Sequence, residues 1–271
     1  MSSTTTRRQH FRNLHHEVPD EPTPGILVMP NPFDVGSARV LAECGALALA
    51  TTSAGFAGTL GRSDQQLRRD DVIAHAEVMA AATELPLNVD TEDCYGDTDD
   101  EIADTARQLA ATAAAGFSIE DYDPRADTIR SIEQAAERVA VVAEAGNDLV
   151  LTARAENHLY GVDDLDDTIR RLIAYRDAGA DCLYAPGVTE DADIDRVVRE
   201  VEAPINVLAL AGTPPIPRLA ELGVARVSVG SSAAWAAYGA IRSMATELFG
   251  DGTSGYASGA LSESFRRRAF D

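Results

Sequence analysis

Short apolar runs alternate with longer amphipathic segments along most of the chain. Each apolar run has the length of a buried strand, and each intervening segment places apolar residues at the three-to-four spacing of a helix. The predicted strands are Ile26–Pro30, Leu47–Thr51, Leu87–Asp90, Phe117–Glu120, Leu149–Ala153, Cys182–Ala185, Ile205–Leu208 and Arg226–Val229. The predicted helices are Val35–Cys44, Leu67–Ala82, Asp99–Ala115, Ile132–Ala145, Leu165–Ala178, Asp191–Val201, Pro215–Leu222 and Ala233–Phe249.

Eight strand–helix units in succession predict a (β/α)8 TIM barrel of the α/β class, spanning residues 21–250. A doubly wound sheet is the alternative, but it usually carries a glycine-rich loop after the first strand, where this chain reads PNPFDVG. Residues 1–20 are expected to form an N-terminal helix with a frayed start. Residues 251–271 form a Gly/Ser-rich and then basic tail, which is either disordered or packed on a partner subunit.

The composition limits the classes of partner and chemistry. The 271 residues carry a net charge of -21, which argues against nucleic acid and anionic membranes as partners. All 23 basic residues are arginine, so Schiff-base catalysis by a lysine is excluded. An acidic surface without lysine indicates a halophilic protein, although genomic base composition could also favour arginine.

The compartment is predicted to be the cytoplasm. No apolar run reaches the ~18 residues of a membrane span, and no apolar segment follows the basic N-terminus as in a secretory signal. The three cysteines are Cys44, Cys94 and Cys182, and their number and spacing do not form a disulfide framework. Reduced thiols are therefore expected.

Charged residues collect at the predicted C-terminal strand ends, where barrels of this kind carry their chemistry. The third strand ends in Asp90, followed by Glu92 and Asp93, the fourth ends at Glu120, and Arg154 follows the fifth. Carboxylates this close raise each other's pKa, and a hard cation with oxygen ligands relieves the repulsion. The pattern predicts a Mg²⁺ or Mn²⁺ site, and the alternative is an acidic turn in an acidic protein.

An oxygen-rich mouth with one arginine suits a small carboxylate substrate. Thr52, Ser53 and Ala54 follow the second strand, and their small side chains leave backbone N–H groups free to hold a carboxylate. Arg154 could bind a carboxylate with two hydrogen bonds, or it could balance an acidic neighbour as a structural ion pair. No HExxH motif or Ser-His-Asp order supports a hydrolase.

Several segments, in consistent order from about residue 25 to 250, resemble the isocitrate lyase/phosphoenolpyruvate mutase superfamily. They are PNPFDVGSARVLAECGALALATTSAG, the acidic DTEDCYG stretch, SIED, LTARAE and GADCLYAPG. The resemblance implies chemistry next to a 2-oxo acid through a Mg²⁺-stabilised enolate. It implies metal ligands, some acting through water, at Asp64, Asp90, Glu92 and Glu120. It implies substrate contacts at Thr52, Ser53, Ala54 and Arg154. Asp90 and Asn206, on the third and seventh strands, are further candidates for substrate binding.

The departures from the family pattern bear on the substrate. Isocitrate and methylisocitrate lyases carry a KxCGH-type loop after the fourth strand, but this chain reads EDYDPRADTIRSIEQ there. The mutase carries a lysine in that loop and a histidine near the end of strand six, where this chain has Tyr184. Glu120, Arg154, Tyr122 and Tyr184 are the catalytic candidates, with the choice of proton carrier left open among Tyr122, Asp123, Arg125 and Tyr184.

These features predict a carbon–carbon lyase or decarboxylase acting on a small 2-oxo acid or 2-hydroxydicarboxylate. The alternatives are C–P chemistry, as in phosphonopyruvate hydrolase or phosphoenolpyruvate mutase, and a non-catalytic barrel that binds an oxo acid. The resemblance also implies a homotetramer that exchanges the final helix, Ala233–Phe249, between subunits.

Overall fold

The computed structural model describes residues 3–19, 22–23 and 25–271. Eight parallel strands form one sheet in the order β1-β10-β9-β8-β7-β4-β3-β2. They are β1 Leu27–Val28, β2 Leu49–Ala50, β3 Leu87–Asp90, β4 Gly116–Glu120, β7 Val150–Arg154, β8 Cys182–Tyr184, β9 Ile205–Leu208 and β10 Arg226–Ser228. A separate antiparallel hairpin, β5 Tyr122–Asp123 with β6 Thr128–Ile129, follows β4 directly.

The sheet curls until its first and last strands meet. The backbone N–H of Ala50, in β2, donates to the carbonyl of Pro30, just after β1, at 3.1 Å. All neighbouring strands of the sheet pair in parallel, as strand–helix–strand connections require. The predicted (β/α)8 barrel is confirmed.

Helices cover the outside of the sheet. They are α1 Ser3–Leu14, α2 Val35–Glu43, α3 Ser53–Thr59, α4 Arg69–Ala82, α5 Asp99–Ala111, α6 Ile132–Gly146, α7 Leu165–Asp177, α8 Asp191–Val201, α9 Ile216–Glu221, α10 Ser232–Gly250 and α11 Glu263–Phe270. All eight predicted helices are present within a few residues of their expected ends. No helix among the described residues combines the length and apolar character needed to cross a membrane.

The N-terminal helix α1 closes the lower end of the barrel. Phe11 and Leu14 are fully buried against Leu27, Met29 and residues of neighbouring strands. This burial explains why an otherwise polar segment, RRQHFRNL, holds its place.

The C-terminal tail is ordered along its own chain. Helix α11 lies against α2, where Arg268 pairs with Glu43 and the Arg39 Nη1 donates to the Phe270 carbonyl at 3.3 Å. Of the two expectations for the tail, disorder is therefore wrong for residues 263–270. Exchange of a helix between subunits stays a prediction.

The inside of the barrel is polar. Alternate residues of a strand face the same side, so Asn88, Ser118 and Thr152 point inward two positions before the strand ends. Arg226 joins them from β10, where its Nε donates to Asn206 Oδ1 at 2.8 Å and its Nη2 donates to Thr152 Oγ1 at 3.1 Å. Because the side chains of Asn88, Ser118 and Thr152 are short, they leave a space in the upper barrel.

Candidate active site

A cavity of about 190 Å³ occupies the upper barrel and opens at the C-terminal strand ends. Its wall contains seven predicted site residues, namely Thr52, Ser53, Ala54, Asp64, Asp90, Arg154 and Asn206, and also the proposed proton carrier Tyr184. Three other predicted residues, Glu92, Glu120 and Tyr122, are not on the wall. The sequence rule that placed chemistry at strand ends therefore selected one common site.

Arg154 is the centre of this site. Its Nε donates to Glu156 Oε1 at 2.7 Å, its Nη1 donates to Asp90 Oδ1 at 2.9 Å, and its Nη2 lies 3.2 Å from Glu120 Oε2. The guanidinium carbon lies 5.4 Å from the centre of the Tyr184 ring. Arg154 thus forms ion pairs with three carboxylates, and its contact with a substrate stays a prediction.

Asp90 joins the guanidinium to the segment after β2. Its Oδ2 accepts from the backbone N–H of Ser53 at 2.9 Å, and its own N–H donates to Thr51 Oγ1 at 2.8 Å. Thr52 caps α3 by accepting from the N–H of Gly55 at 3.3 Å. The Ser53 N–H that the sequence predicted would hold a substrate carboxylate is therefore engaged by the Asp90 carboxylate.

Glu92 sits in a strained loop after β3. Glu92, Cys94 and Tyr95 all have left-handed backbone conformations, with φ of 46°, 64° and 55°. The Glu92 side chain is buried, and its Oε1 has no hydrogen-bond partner. Burial raises the pKa of the Glu92 carboxyl to about 8, and the nearby Asp90 and Asp64 charges add to the rise.

Glu120 and Asp64 complete the acidic group. Burial holds the pKa of the Glu120 carboxyl well above its usual value, although the adjacent Arg154 opposes the rise. Gln65 donates from Nε2 to Glu120 Oε1 at 3.0 Å. Asp64 lies at the cavity rim and is partly accessible to water. The protein atoms around its carboxyl group, and after them the Asp90 charge, raise its pKa.

The acidic group fits a divalent cation in charge and chemistry. Asp90, Glu120 and Glu156 pair with the Arg154 guanidinium, Asp64 and Glu92 lie close enough for the Asp90 charge to raise their pKa, and the buried Glu92 Oε1 has no hydrogen-bond partner. Within the described residues, no three Asp, Glu, His or Cys side chains are close enough together to form a direct ligand cage. A cation held here would thus take water and substrate oxygens as further ligands, as Mg²⁺ usually does.

Asn206 and Tyr184 also line the cavity, from the neighbouring strands β9 and β8. Because Arg226 can only donate, Asn206 Oδ1 accepts from it, and Asn206 Nδ2 then donates to Ser228 Oγ at 2.9 Å. Burial raises the pKa of the Tyr184 phenol above its usual value.

The hairpin β5–β6 carries Tyr122 beside the mouth. The Tyr122 hydroxyl donates to Asp127 Oδ1 at 2.8 Å, and its ring stacks on Tyr160 with 3.8 Å between the centroids. Leu159, from the same loop after β7, lines the cavity. Neither residue of this loop was predicted from the sequence, because no polar or charged signal marks them.

The inner cavity residues Asn88, Ser118, Thr152 and Arg226 were also not predicted as site residues. A signal for them existed, since each lies two positions before a strand-end residue and therefore faces the same side of the sheet.

Comparison with known proteins gives the family. The sequence profile of the phosphoenolpyruvate phosphomutase family matches residues 11–249. An uncharacterized protein of Mycobacterium tuberculosis is 34% identical over 224 residues, covering 82% of this chain and 81% of the relative. The 2-methylisocitrate lyase of Escherichia coli is 30% identical over 169 residues, covering 58% of this chain and 57% of the relative.

Solved structures share the whole fold. A protein of Burkholderia cenocepacia provisionally named as a lyase/mutase superposes with a TM-score of 0.92 at 44% identity, covering 98% of this chain and 97% of the other. A 2,3-dimethylmalate lyase superposes with a TM-score of 0.83 at 24% identity, covering 100% of this chain and 95% of the other.

The chain belongs to the phosphoenolpyruvate phosphomutase family. The resemblance inferred from the sequence is confirmed. The relatives with a named activity include lyases and decarboxylases, so the prediction of an enzyme of this superfamily is confirmed as well.

Proposed function

We propose that this enzyme is a divalent-metal-dependent lyase or decarboxylase that breaks a C–C bond next to the oxygenated carbon of a small 2-oxo acid or 2-hydroxydicarboxylate. One observation carries the proposal: three carboxylates, of Asp90, Glu120 and Glu156, pair with the guanidinium of Arg154 beside a polar cavity that opens at the C-terminal strand ends. A divalent cation would offset the remaining negative charge and would in turn attract an anionic, oxygen-rich substrate.

The residues that would hold Mg²⁺ or Mn²⁺, directly or through water, are Asp64, Asp90, Glu92 and Glu120. When bound, the cation would supply the positive charge that stabilises the enolate oxygen left as the C–C bond breaks. Glu92 contributes the unsatisfied oxygen, since its Oε1 has no hydrogen-bond partner in the protein.

Arg154 and the segment Thr52–Ala54 would bind the substrate. Arg154 is held in place by carboxylates on three sides, so its guanidinium is oriented before substrate arrives. Asn206 also lines the cavity, with its amide bonded to Arg226 and Ser228. The cavity of about 190 Å³ is the space of about six water molecules, which suits an acid of a few carbon atoms.

Tyr184 is the best-placed proton donor. It lines the cavity, and its phenol is protonated at neutral pH, since burial raises further a pKa that is ordinarily about 10. The Tyr122 hydroxyl is instead engaged with Asp127, outside the cavity wall. We therefore assign proton delivery to Tyr184, and a covering role to the hairpin that carries Tyr122.

Phosphonate chemistry is the second candidate, because a Burkholderia cenocepacia protein named as a phosphonomutase is 33% identical with a TM-score of 0.81. Against it stands the absence of lysine, which leaves the loop after β4 without the amine that the mutase carries there. C–C cleavage is therefore the preferred reaction.

The oligomer proposed here is a homotetramer in the cytoplasm, built through α10. Along α10, Trp235, Ile241 and Phe249 are 53%, 55% and 88% exposed. Large exposed apolar side chains on one helix are typical of a protein interface.

The test is pyruvate release from oxaloacetate and from 2-alkylmalates, with Mg²⁺ and with EDTA. We expect turnover that EDTA abolishes and that Asp90→Asn reduces at least a hundredfold, about the effect of losing one preorganised charged contact in a transition state. Asp104→Asn is the matched control, because Asp104 pairs with Arg69 on the surface.

Three results would point elsewhere. Undiminished turnover in EDTA would contradict the metal. Release of inorganic phosphate from phosphonopyruvate, followed by ³¹P NMR, would favour C–P chemistry. Oxalate binding in calorimetry without turnover of any candidate would favour the non-catalytic barrel.

A further inference from the structure

Asp93 is a buried carboxylate that faces three arginines outside the cavity wall. Its Oδ2 accepts from Arg125 Nη2 at 2.8 Å and from Arg130 Nη2 at 3.2 Å, and Arg138 Nη2 lies 3.7 Å away. The Asp93 side chain is 3% exposed. A carboxylate so enclosed is held by its partners, because a charge buried at this depth without a counter-charge would be strongly destabilising.

The same arginines also fasten the backbone around Asp93. Arg138 Nη2 donates to the carbonyls of Asp93 at 2.7 Å and of Gly96 at 3.0 Å, and Arg125 Nη2 donates to Gly96 O at 3.2 Å. This segment contains the left-handed residues Glu92, Cys94 and Tyr95. Strained backbone of this kind persists only where its surroundings over-determine it, and here the arginines provide that restraint.

Two of the three arginines belong to the hairpin beside the mouth. Arg125 lies in its turn and Arg130 follows β6 directly. Arg130 Nη1 donates to the carbonyl of Tyr122 at 2.6 Å, and Arg130 Nη2 lies 3.1 Å from Asp123 Oδ2. One carboxylate thus fixes both the covering hairpin and the loop that carries Glu92.

We propose that Asp93 is a positioning residue that couples closure of the hairpin 122–129 to the geometry of the acidic loop 91–96. Asp93 does not line the cavity, and it acts through Arg125, Arg130 and Arg138. Its importance for turnover rests on the proposed function, whereas the coupling itself is a property of the protein alone.

The three arginines around Asp93 differ in exposure. The side chains of Arg130 and Arg138 are 8% and 10% exposed, which makes them the permanent part. Arg125 is 44% exposed and also contacts Asp97 and Asp123 at the surface. Arg125 is therefore the arginine that would lose its contacts when the hairpin opens. Its hydrogen bonds to the Asp93 carboxylate and to the Gly96 carbonyl would then break.

Hydrogen–deuterium exchange of the full-length protein tests this coupling without substrate or metal. In Asp93→Asn we expect exchange to become about tenfold faster in both segments, 91–96 and 122–129, the change that loss of one charge-assisted hydrogen bond gives. Arg125→Gln should speed exchange in the hairpin by a similar factor and in the loop several-fold. Arg125→Lys should restore part of the protection.

Asp97→Asn is the matched control, because Asp97 is 67% exposed and contacts Arg125 at the surface without reaching the buried arginines. It should leave loop 91–96 at the wild-type rate. Faster exchange in the hairpin with an unchanged loop, in Asp93→Asn or in Arg125→Gln, would overturn the coupling. If Asp93→Asn does not fold, the surface variant Arg125→Gln decides alone.

Kinetic measurements then test whether the coupling through Asp93 affects turnover. Once a substrate is found, Arg125→Gln should raise KM and lower kcat together, since closure and site geometry change at once. A failed search for turnover would refute the proposed function and leave the exchange result standing. Normal kinetics in a variant with loosened segments would refute the role of Asp93 in catalysis.

Discussion

Arg154 and Glu120 face each other across neighbouring strands of the barrel, in register and 3.2 Å apart from Nη2 to Oε2. Neither charge has free access to water, since the two side chains are 16% and 3% exposed. Each charge of the pair is therefore stabilised mainly by the other and not by water. Asp90 and Glu156 pair with the same guanidinium and add negative charge around it.

Arg154→Met should destabilise the protein strongly, because it leaves three carboxylates without their counter-charge. We expect a loss of about 3 to 5 kcal/mol at neutral pH, measured by urea unfolding in EDTA. Arg107→Met, a change at a 57% exposed arginine, should alter stability by less than about 0.5 kcal/mol. Equal losses in the two variants would contradict the central role of Arg154.

Glu92→Gln should stabilise the metal-free protein at high pH. Because the pKa of Glu92 rises from 4.5 to about 8 on folding, the wild type binds more protons folded than unfolded, and its stability falls as pH rises through this range. The variant should be more stable at pH 8, by at most about 5 kcal/mol, and equal to the wild type below pH 4.5. Unfolding curves across this pH range measure the difference.

Mg²⁺ should reverse the effect of Glu92→Gln. A cation that binds the ionised Glu92 carboxylate stabilises the folded wild type, whereas the amide offers a weaker ligand. Thermal unfolding at pH 8 with increasing Mg²⁺ should raise the wild-type melting temperature more than that of the variant. Parallel curves would argue against Glu92 as a ligand.

His15 should make the protein sensitive to acid. Burial lowers its pKa from 6.5 to about 3, and the adjacent Arg226 charge adds to the shift. The stability that depends on neutral His15 is therefore present above pH 6.5 and is lost as pH falls towards 3. His15→Asn should flatten this acid limb of the stability curve, while the same change at the exposed neighbour His16 should leave it unchanged.

Phe249→Glu should break the proposed tetramer. A charge placed at an 88% exposed apolar position costs little in a monomer and much in a buried interface. Light scattering behind a sizing column should show smaller particles. Val78→Glu, a change at a 56% exposed apolar residue of α4, should keep the wild-type mass. A wild type that is already monomeric would refute the proposal.

Molar KCl should stabilise the protein if its acidic composition is an adaptation to salt. Screening reduces the mutual repulsion of a chain with net charge -21. The melting temperature measured from low salt to molar KCl should rise. A flat or falling curve would favour base composition as the reason for the missing lysine.

The barrel could be predicted because its signals are local. Apolar runs and helical spacing lie within ten to twenty residues of chain, and the strand-end rule then brought Asp90 and Arg154 together across 64 positions. Helix α3 was missed because its sequence, SAGFAGT, has two glycines and little amphipathic pattern, although Thr52 is a good N-cap.

The partners of charged residues could not be predicted in the same way. Asp93 was identified only as part of an acidic run, since its arginines lie 32 to 45 positions further on and belong to different elements. Hydrophobic periodicity and secondary-structure propensity do not specify such pairings. The pairings depend on how the helices and strands pack against one another. The hairpin was missed for a related reason, because strands of two residues carry no periodic signal.

Helix α1 has a consequence for engineering this scaffold. The His15 Nε2 accepts from Arg226 Nη1 at 3.0 Å, so a segment outside the eight repeating units completes the wall around Arg226. Trimming that segment would expose Arg226 and the apolar residues at the base of the barrel to water. Redesigns for larger acids should accordingly alter the loops at the top and keep the plug at the base intact.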